Sequence, residues 1–319
     1  MHPARSIIVF TTLSGAGFGL VALLALGAVA GSGSPLLWAA LLALALTGVG
    51  LLSSTFHLGH PERAWRALTQ WRTSWLSREG VLSIITLGLF AVQMAADLFY
   101  GMRLVPLGLV TAALAIVTVY ATAMIYASLK TVPRWHTRLT PACYLGFAAA
   151  GGAMLASAFA AGADGRAAGL EWLALGFLLV AWAAKGLWWF RADRIPLGSG
   201  DSRPETATRL GRYGRVRLLE PPHSMGNYLT REMVFRTARR HAVALRRAAA
   251  LLGGGLPVLL LAAGLAAGGW IWPAAASLSF LLGLLAERWL FFAEAEHVVS
   301  LYYGEGERAR PAGFPARPA

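Results

Sequence analysis

Cysteine and charge are what this chain lacks. Cys143 is the single cysteine in 319 residues, which excludes an intrachain disulfide and any iron–sulfur or cysteine-rich zinc centre held by the chain alone. Only 13% of residues are charged against 57% hydrophobic, and the mean hydropathy is +0.57. That balance excludes an ordinary soluble domain and puts the chain among polytopic membrane proteins. Histidine is missing from the middle of every apolar run: His2, His57, His60, His136, His223, His241 and His297 are terminal, interfacial or in loops. A transmembrane b-type haem takes axial ligands from bundle helices, so bound haem is disfavoured. Its remaining form is a site at one membrane face using His57 and His136.

Eight apolar runs are present, each near the ~20 residues needed to cross a bilayer core: roughly 7–30, 36–56, 80–100, 105–128, 141–162, 169–190, 248–268 and 271–293. They predict an all-α, eight-helix membrane domain over residues 1–300, with the spans grouped as two four-helix halves. A basic loop at 191–247 interrupts it, and a flexible Pro/Gly/Arg tail follows at 301–319. The first run is longer than the apolar core of a secretory signal and is read as a retained span. Lys and Arg number 28 against 15 acidic residues. With a cytoplasmic N-terminus, 26 of the 28 fall on the cytoplasmic face, leaving Arg103 and Arg166 outside. The positive-inside rule therefore predicts both termini cytoplasmic and explains the basicity without nucleic acid.

The inner connectors carry the reactive residue types. Between the second and third spans, His57 and His60 share a face if the second helix continues, whereas Pro61 favours ending it there. Glu79 opens the third span, where the positive end of a helix dipole favours a carboxylate; helix capping with Ser77 explains its presence equally well. Histidine and glutamate titrate near neutrality after modest shifts, so His57, His60 and Glu79 are candidates for exchanging protons with a quinol. Trp65, Trp71 and Trp75, with Arg78, are candidates to line a ring-shaped ligand, although tryptophan is also the common interfacial anchor. Arg134, Trp135 and His136 are the counterparts in the next inner connector. Arg63, Arg66 and Arg72 are candidates for docking a partner. Glu287 and Arg288 read as an ion pair within the bundle, and Lys185 as a side chain that snorkels to the interface. The loop at 191–247 reads as solvated chain, or as a surface for a soluble partner or anionic lipid, and Arg231 to Arg247 as a basic helix feeding the seventh span.

These motifs resemble a known family. The chain is similar to the membrane-anchor subunit of the DMSO reductase family of molybdoenzymes in its eight spans, in His57-Leu-Gly-His-Pro-Glu-Arg-Ala64 followed by Leu76-Ser-Arg-Glu79, and in Thr131-Val-Pro-Arg-Trp135. Glu287-Arg-Trp-Leu-Phe-Phe292 matches more weakly. The opening Met1-His-Pro-Ala-Arg5 and Asn227-Tyr-Leu-Thr-Arg-Glu-Met233 resemble the branch that serves cytoplasmic sulfite-oxidising enzymes. The resemblance implies a subunit of a bacterial inner-membrane complex with no bound redox metal. It would hold a ferredoxin-like iron–sulfur subunit and a molybdopterin catalytic subunit at the membrane, with menaquinone or ubiquinone as exchangeable substrate. It assigns quinol binding to His57 and Glu79, while His60, where the family often has a small residue, leaves the choice of histidine open. Two other readings stand beside it: a passive anchor without quinone chemistry, and a secondary transporter. The transporter is disfavoured because the spans are nearly free of charge and of midspan proline.

Overall fold

The structure is a computed structural model that describes residues 4–29, 33–57, 60–195, 197, 203–216, 219–220 and 237–303, without the side chains of 57, 237–241 and 303. Its regular elements are helical, and eight of the helices are long and apolar enough to cross a membrane. These are α1 (Arg5–Ala25), α2 (Ser34–Ser53), α3 (Trp75–Tyr100), α4 (Val105–Ala127), α5 (Leu139–Asp164), α6 (Ala168–Ala192), the pair α8 (Thr237–Ala250) and α9 (Leu256–Ala267), and α10 (Ile271–Ala293). A short surface helix, α7 (Pro204–Thr208), lies between α6 and α8. In lipid every backbone polar group must be paired within its own segment, and these runs do so by forming helices that end at turn-forming residues. Gly27, Gly101, Gly165, Gly268 and Gly269 take positive φ at the turns on one face. The long connectors occupy the other face, called here the connector face.

The helices α1 to α4 contact one another in a ring, as do α5, α6, α8–α9 and α10, and the two rings share the α1–α5 contact. The central helices α1 and α5 are two-thirds buried within their apolar windows. Small residues make that junction. A Cβ on Gly19 would stand 1.9 Å from the Ala148 carbonyl oxygen, and one on Gly152 would stand 2.2 Å from the Gly19 carbonyl carbon. Without a hydrophobic force between helices in lipid, such close backbone approach supplies the van der Waals contact that holds them.

The seventh span departs from a plain helix. Thr237–Ala250 begins the helix inside the stretch read as basic, while 231–236 lie outside the described residues. A π-helical turn, Leu251–Gly255, joins α8 to α9 just before Pro257. Proline has no N–H for the carbonyl four residues back, and that carbonyl, of Gly253, instead accepts from Trp182 Nε1 at 2.9 Å. The carbonyl of Leu252 accepts from Ser279 Oγ at 2.7 Å. Neighbouring side chains thus satisfy what the irregular turn frees, and the span does contain the midspan proline that the sequence reading treated as nearly absent.

Between α3 and α4 runs a polar seam. Glu79, Ser83, Thr86, Phe90 and Gln93 recur on one face of α3, and Thr111, Ala115, Thr118 and Thr122 on one face of α4; all are buried. Thr86 Oγ1 lies 3.3 Å from Thr118 Oγ1, and Gln93 Nε2 donates to the Ala25 carbonyl at 2.9 Å. Phe90 and Ala115 interrupt the polar row at its middle.

The glycine junction is directly testable. Gly19→Leu is expected to abolish a monodisperse folded protein in detergent, because even its Cβ overlaps backbone. Gly15→Ala on the same helix meets nothing within 4 Å and is expected to leave stability unchanged or raise it by up to about 1 kcal/mol. Thermal melts of the two solubilised variants provide the comparison.

Candidate functional site

Ser74 caps α3, its hydroxyl accepting from the Ser77 N–H at 3.5 Å, so the cap lies upstream of the Ser77–Glu79 pair read from sequence. Glu79 then falls four residues into the helix, about 6 Å along the axis at 1.5 Å per residue. Its carboxylate is 3% exposed and bonded to the Thr122 hydroxyl of α4. That same hydroxyl lies 3.1 Å from the Thr118 carbonyl oxygen. A hydroxyl has one hydrogen and can also accept, so this pair serves both states of the acid. Ionised Glu79 accepts from Thr122, whereas protonated Glu79 donates to Thr122, whose hydrogen turns to Thr118. A proton can thus arrive at or leave Glu79 while the hydroxyl keeps a partner, and Ser83, one turn further along α3, keeps a buried hydroxyl without one.

The second helix does not continue to His60. It ends at Ser53, a 3-10 turn covers Ser54–His57, and His60 has φ −137° and ψ 73°, so the shared face that a continuing second helix would give the two histidines does not form. The His57 side chain lies outside the described residues. His60 is exposed and its Nδ1 lies 3.0 Å from Glu62 Oε1. A 3-10 helix, Pro61–Gln70, follows and packs against α3. It exposes Arg63, Arg66 and Trp65, with Trp71 and Arg72 just beyond. Arg66 and Arg72 lie over the rings of Trp65 and Trp71, at 5.6 and 5.5 Å from the centroids. Arg78 ties this connector to α3 by donating to the Trp71 and Arg72 carbonyls at 3.0 and 2.6 Å, and it covers the half-buried Trp75 ring.

The second inner connector is folded onto the bundle. Trp135 is buried, stacks on Phe291, and donates from Nε1 to the Phe291 carbonyl at 2.9 Å. His136 Nδ1 lies 2.7 Å from the Ala127 carbonyl and so carries a hydrogen there. Arg134 is 3.8 Å from Asp193, which also takes two bonds from Arg246 at 2.6 and 2.8 Å. Arg246 in turn reaches Glu294 at 2.8 Å. These residues clamp the ends of α6, α8 and α10 at the connector face.

The least anticipated feature lies one to two turns inside that face. Glu287 and Arg288 are in the bundle, as the sequence suggests, but Lys185 does not snorkel: it is 1% exposed, and its Nζ is 2.5 Å from Glu287 Oε1. Arg288 Nε takes the other oxygen at 2.5 Å. Two of the charges counted toward one membrane face are therefore inside the protein. The aromatic spacing around Lys185, with Trp182, Trp188 and Trp189 on its own helix, was the available signal. Among the described residues, no group of three His, Cys, Asp or Glu is placed to hold a metal ion. An apolar groove of about 550 Å³ between α2, α5 and α10, lined by Trp38, Phe159 and Trp270, lies toward the opposite face from Glu79 and offers no titratable group.

Comparison with known proteins adds a family to this geometry. Residues 1–194 match the family described as DMSO reductase anchor subunit (DmsC). The chain is 35% identical over 327 residues to a sulfite dehydrogenase subunit of Allochromatium vinosum, covering 95% of this chain and 99% of that protein. No solved structure gives a significant match.

The clamp predicts a pH dependence. Hydrogen bonds from Arg246 hold the Asp193 carboxyl below its usual range, so its stabilising contribution is full above the unfolded value of about 3.9 and is lost as pH falls through the lower folded value. Asp193→Asn is expected to melt earlier than wild type at pH 7 and with it below that folded value, where wild-type Asp193 is itself protonated.

Proposed function

The chain belongs to the DMSO reductase anchor subunit family, and from that premise we propose that it is the quinone-reactive membrane subunit of a molybdoenzyme complex, with Glu79 as its proton-exchanging group. The observation that carries this reading is the Glu79–Thr122 contact. A carboxylate at membrane depth is costly and marks a functional site by default, and this one has a partner that suits it in either protonation state.

Oxidising a quinol releases two electrons and two protons. In this reading one proton passes from a quinol hydroxyl to Glu79, the other to His57 or His60, and the electrons leave to an iron–sulfur subunit; quinone reduction runs the same steps backward. Glu79 contributes as a positioned base, worth about 10²–10⁴-fold in general acid–base catalysis. The molybdopterin subunit would lie beyond the iron–sulfur subunit, both docked on the connector face, where Arg63, Arg66 and Arg72 are exposed. With that face cytoplasmic, both termini lie on the inner side of a bacterial cytoplasmic membrane, the arrangement that the positive-inside count supports. The full-length relationship to a sulfite dehydrogenase subunit supports a sulfite-oxidising soluble partner, which would deliver electrons to menaquinone or ubiquinone. The depth of the buried ionisable layer, near one face and away from the midplane, weighs against a secondary transporter, whose sites gather at the bilayer centre.

The deciding experiment is quinone-linked electron transfer in membranes holding the whole complex. Glu79→Gln is expected to lower the rate about 10²–10⁴-fold with the soluble subunits still membrane-bound, and Thr122→Val to lower it less. Unchanged coupling in Glu79→Gln would leave a passive anchor or move the chemistry elsewhere.

A further inference from the structure

Lys185, Glu287 and Arg288 form a buried cluster from two helices, α6 and α10, and its charges do not cancel. Glu287 has two oxygens and each faces one cation at 2.5 Å, so the three side chains carry one excess positive charge. Arginine stays protonated in proteins, and the lysine is ion-paired with Glu287 against aromatic faces, which attract a cation. Lys185 Nζ sits 3.9 Å from the centroid of Trp188, 5.2 Å from Trp189 and 5.5 Å from Phe291. Arg288 lies 4.1 Å from the ring centre of Tyr144.

A buried excess charge is expensive unless something answers it. Glu79 is placed to do so. Tyr144 stacks on Tyr126, with ring centroids 5.9 Å apart, and Tyr126 stands one turn beyond Thr122 on α4. A chain of neighbours thus runs from Glu79 through Thr122, Tyr126 and Tyr144 to Arg288. Glu79, Lys185, Glu287 and Arg288 therefore sum to zero when Glu79 is ionised and to one positive charge when it is protonated.

We propose that the Lys185–Glu287–Arg288 cluster is a fixed counter-charge for Glu79, acting across the Tyr126–Tyr144 pair and setting the pH at which Glu79 exchanges its proton. This rests on the reading of Glu79 given above and makes the three residues positioning residues, since none of them touches the exchanging proton. The other groups around Glu79 are not equivalent. Thr122 and Tyr126 face it from α4; the 3-10 segment Pro61–Gln70 brings Glu62, Arg63 and Arg66, all exposed; α1 brings the exposed Arg5; and α2 brings no titratable residue. Arg78 on α3 itself is engaged with the connector carbonyls.

The test is charge arithmetic on the pH profile of quinone-linked turnover in the assembled complex. Lys185→Met removes the excess charge, and the midpoint of the Glu79-dependent limb is expected to rise, by up to roughly one pH unit, the limit for a unit charge no nearer than about 10 Å at an effective dielectric of about 20. Glu287→Gln doubles the excess and is expected to move the midpoint the other way. The double variant Lys185→Met/Glu287→Gln restores one excess charge and with it the wild-type midpoint, and Lys185→Arg keeps that midpoint throughout. Arg288→Gln, which removes a positive charge from the other end, must shift in the same sense as Lys185→Met and serves if that variant does not assemble. Midpoints that stay fixed, or that move in one direction whatever the sign of the change, overturn the proposal. A limb that disappears in Glu79→Gln while ignoring the cluster variants sinks the counter-charge alone. A limb that survives Glu79→Gln sinks the reading of Glu79 itself.

Discussion

An ionised side chain inside a helix bundle in lipid is held only where opposite charge and hydrogen-bond donors meet it, and Glu287 meets two cations at once. That shared carboxylate joins α6 to α10, while Arg288 beside it covers the ring of Tyr144 on α5. Phe291, one turn along α10, carries Trp135 on one face and lies against Tyr126, Tyr144 and Trp188. The second inner connector, which begins four residues after Tyr126, is thereby bound to the bundle by aromatic contacts that radiate from one ion cluster. Removing Glu287 would strand two cations, a loss of about 3–5 kcal/mol or more for buried pairs, whereas removing either cation leaves the carboxylate one partner.

How this layer relates to the rest of the bundle follows from depth. Glu79, Thr122, Tyr144, Lys185 and Arg288 all lie within one to two turns of the connector-face ends of their helices. They come from five helices in both rings, so the layer is lateral and bridges the α1–α4 and α5–α10 groups near one membrane face. Elsewhere the helices meet through glycine and alanine, as at Gly19 and Gly152. Close packing gives the bundle its shape, and the polar layer gathers ionisable side chains from both rings near one end of it.

The number and position of the spans were legible because twenty-residue apolar runs leave little alternative in a bilayer. Glu79 was legible as a candidate, since a carboxylate at the edge of an apolar run violates the pattern around it. The partner Thr122 was not: a threonine inside an apolar helix is commonplace, and only the packing of α4 on α3 shows which one faces the acid. Lys185 was misread because a lysine near the end of a span has two outcomes, reaching outward to water or inward to a counter-charge. The choice depends on Glu287, more than a hundred residues away. The π-turn before Pro257 escaped for a similar reason, since the groups that make it tolerable, Trp182 and Ser279, belong to other helices. Local pattern located the elements, and long-range pairing decided what the exceptional residues in them do.

The interruption of the polar seam at Phe90 and Ala115 has an electrical meaning. Glu79 is about 6 Å into α3, and the row of hydroxyls that continues from it stops near the middle of the helix, with an aromatic ring filling the gap. A proton reaching Glu79 from the connector face crosses about a fifth of a hydrocarbon core roughly 30 Å thick. At about 2.3 kcal/mol per charge per 100 mV over the whole membrane, that is about half a kcal/mol. The membrane voltage would therefore barely tilt the protonation of this residue, whose row of hydroxyls Phe90 and Ala115 separate from Gln93 and Thr111 beyond.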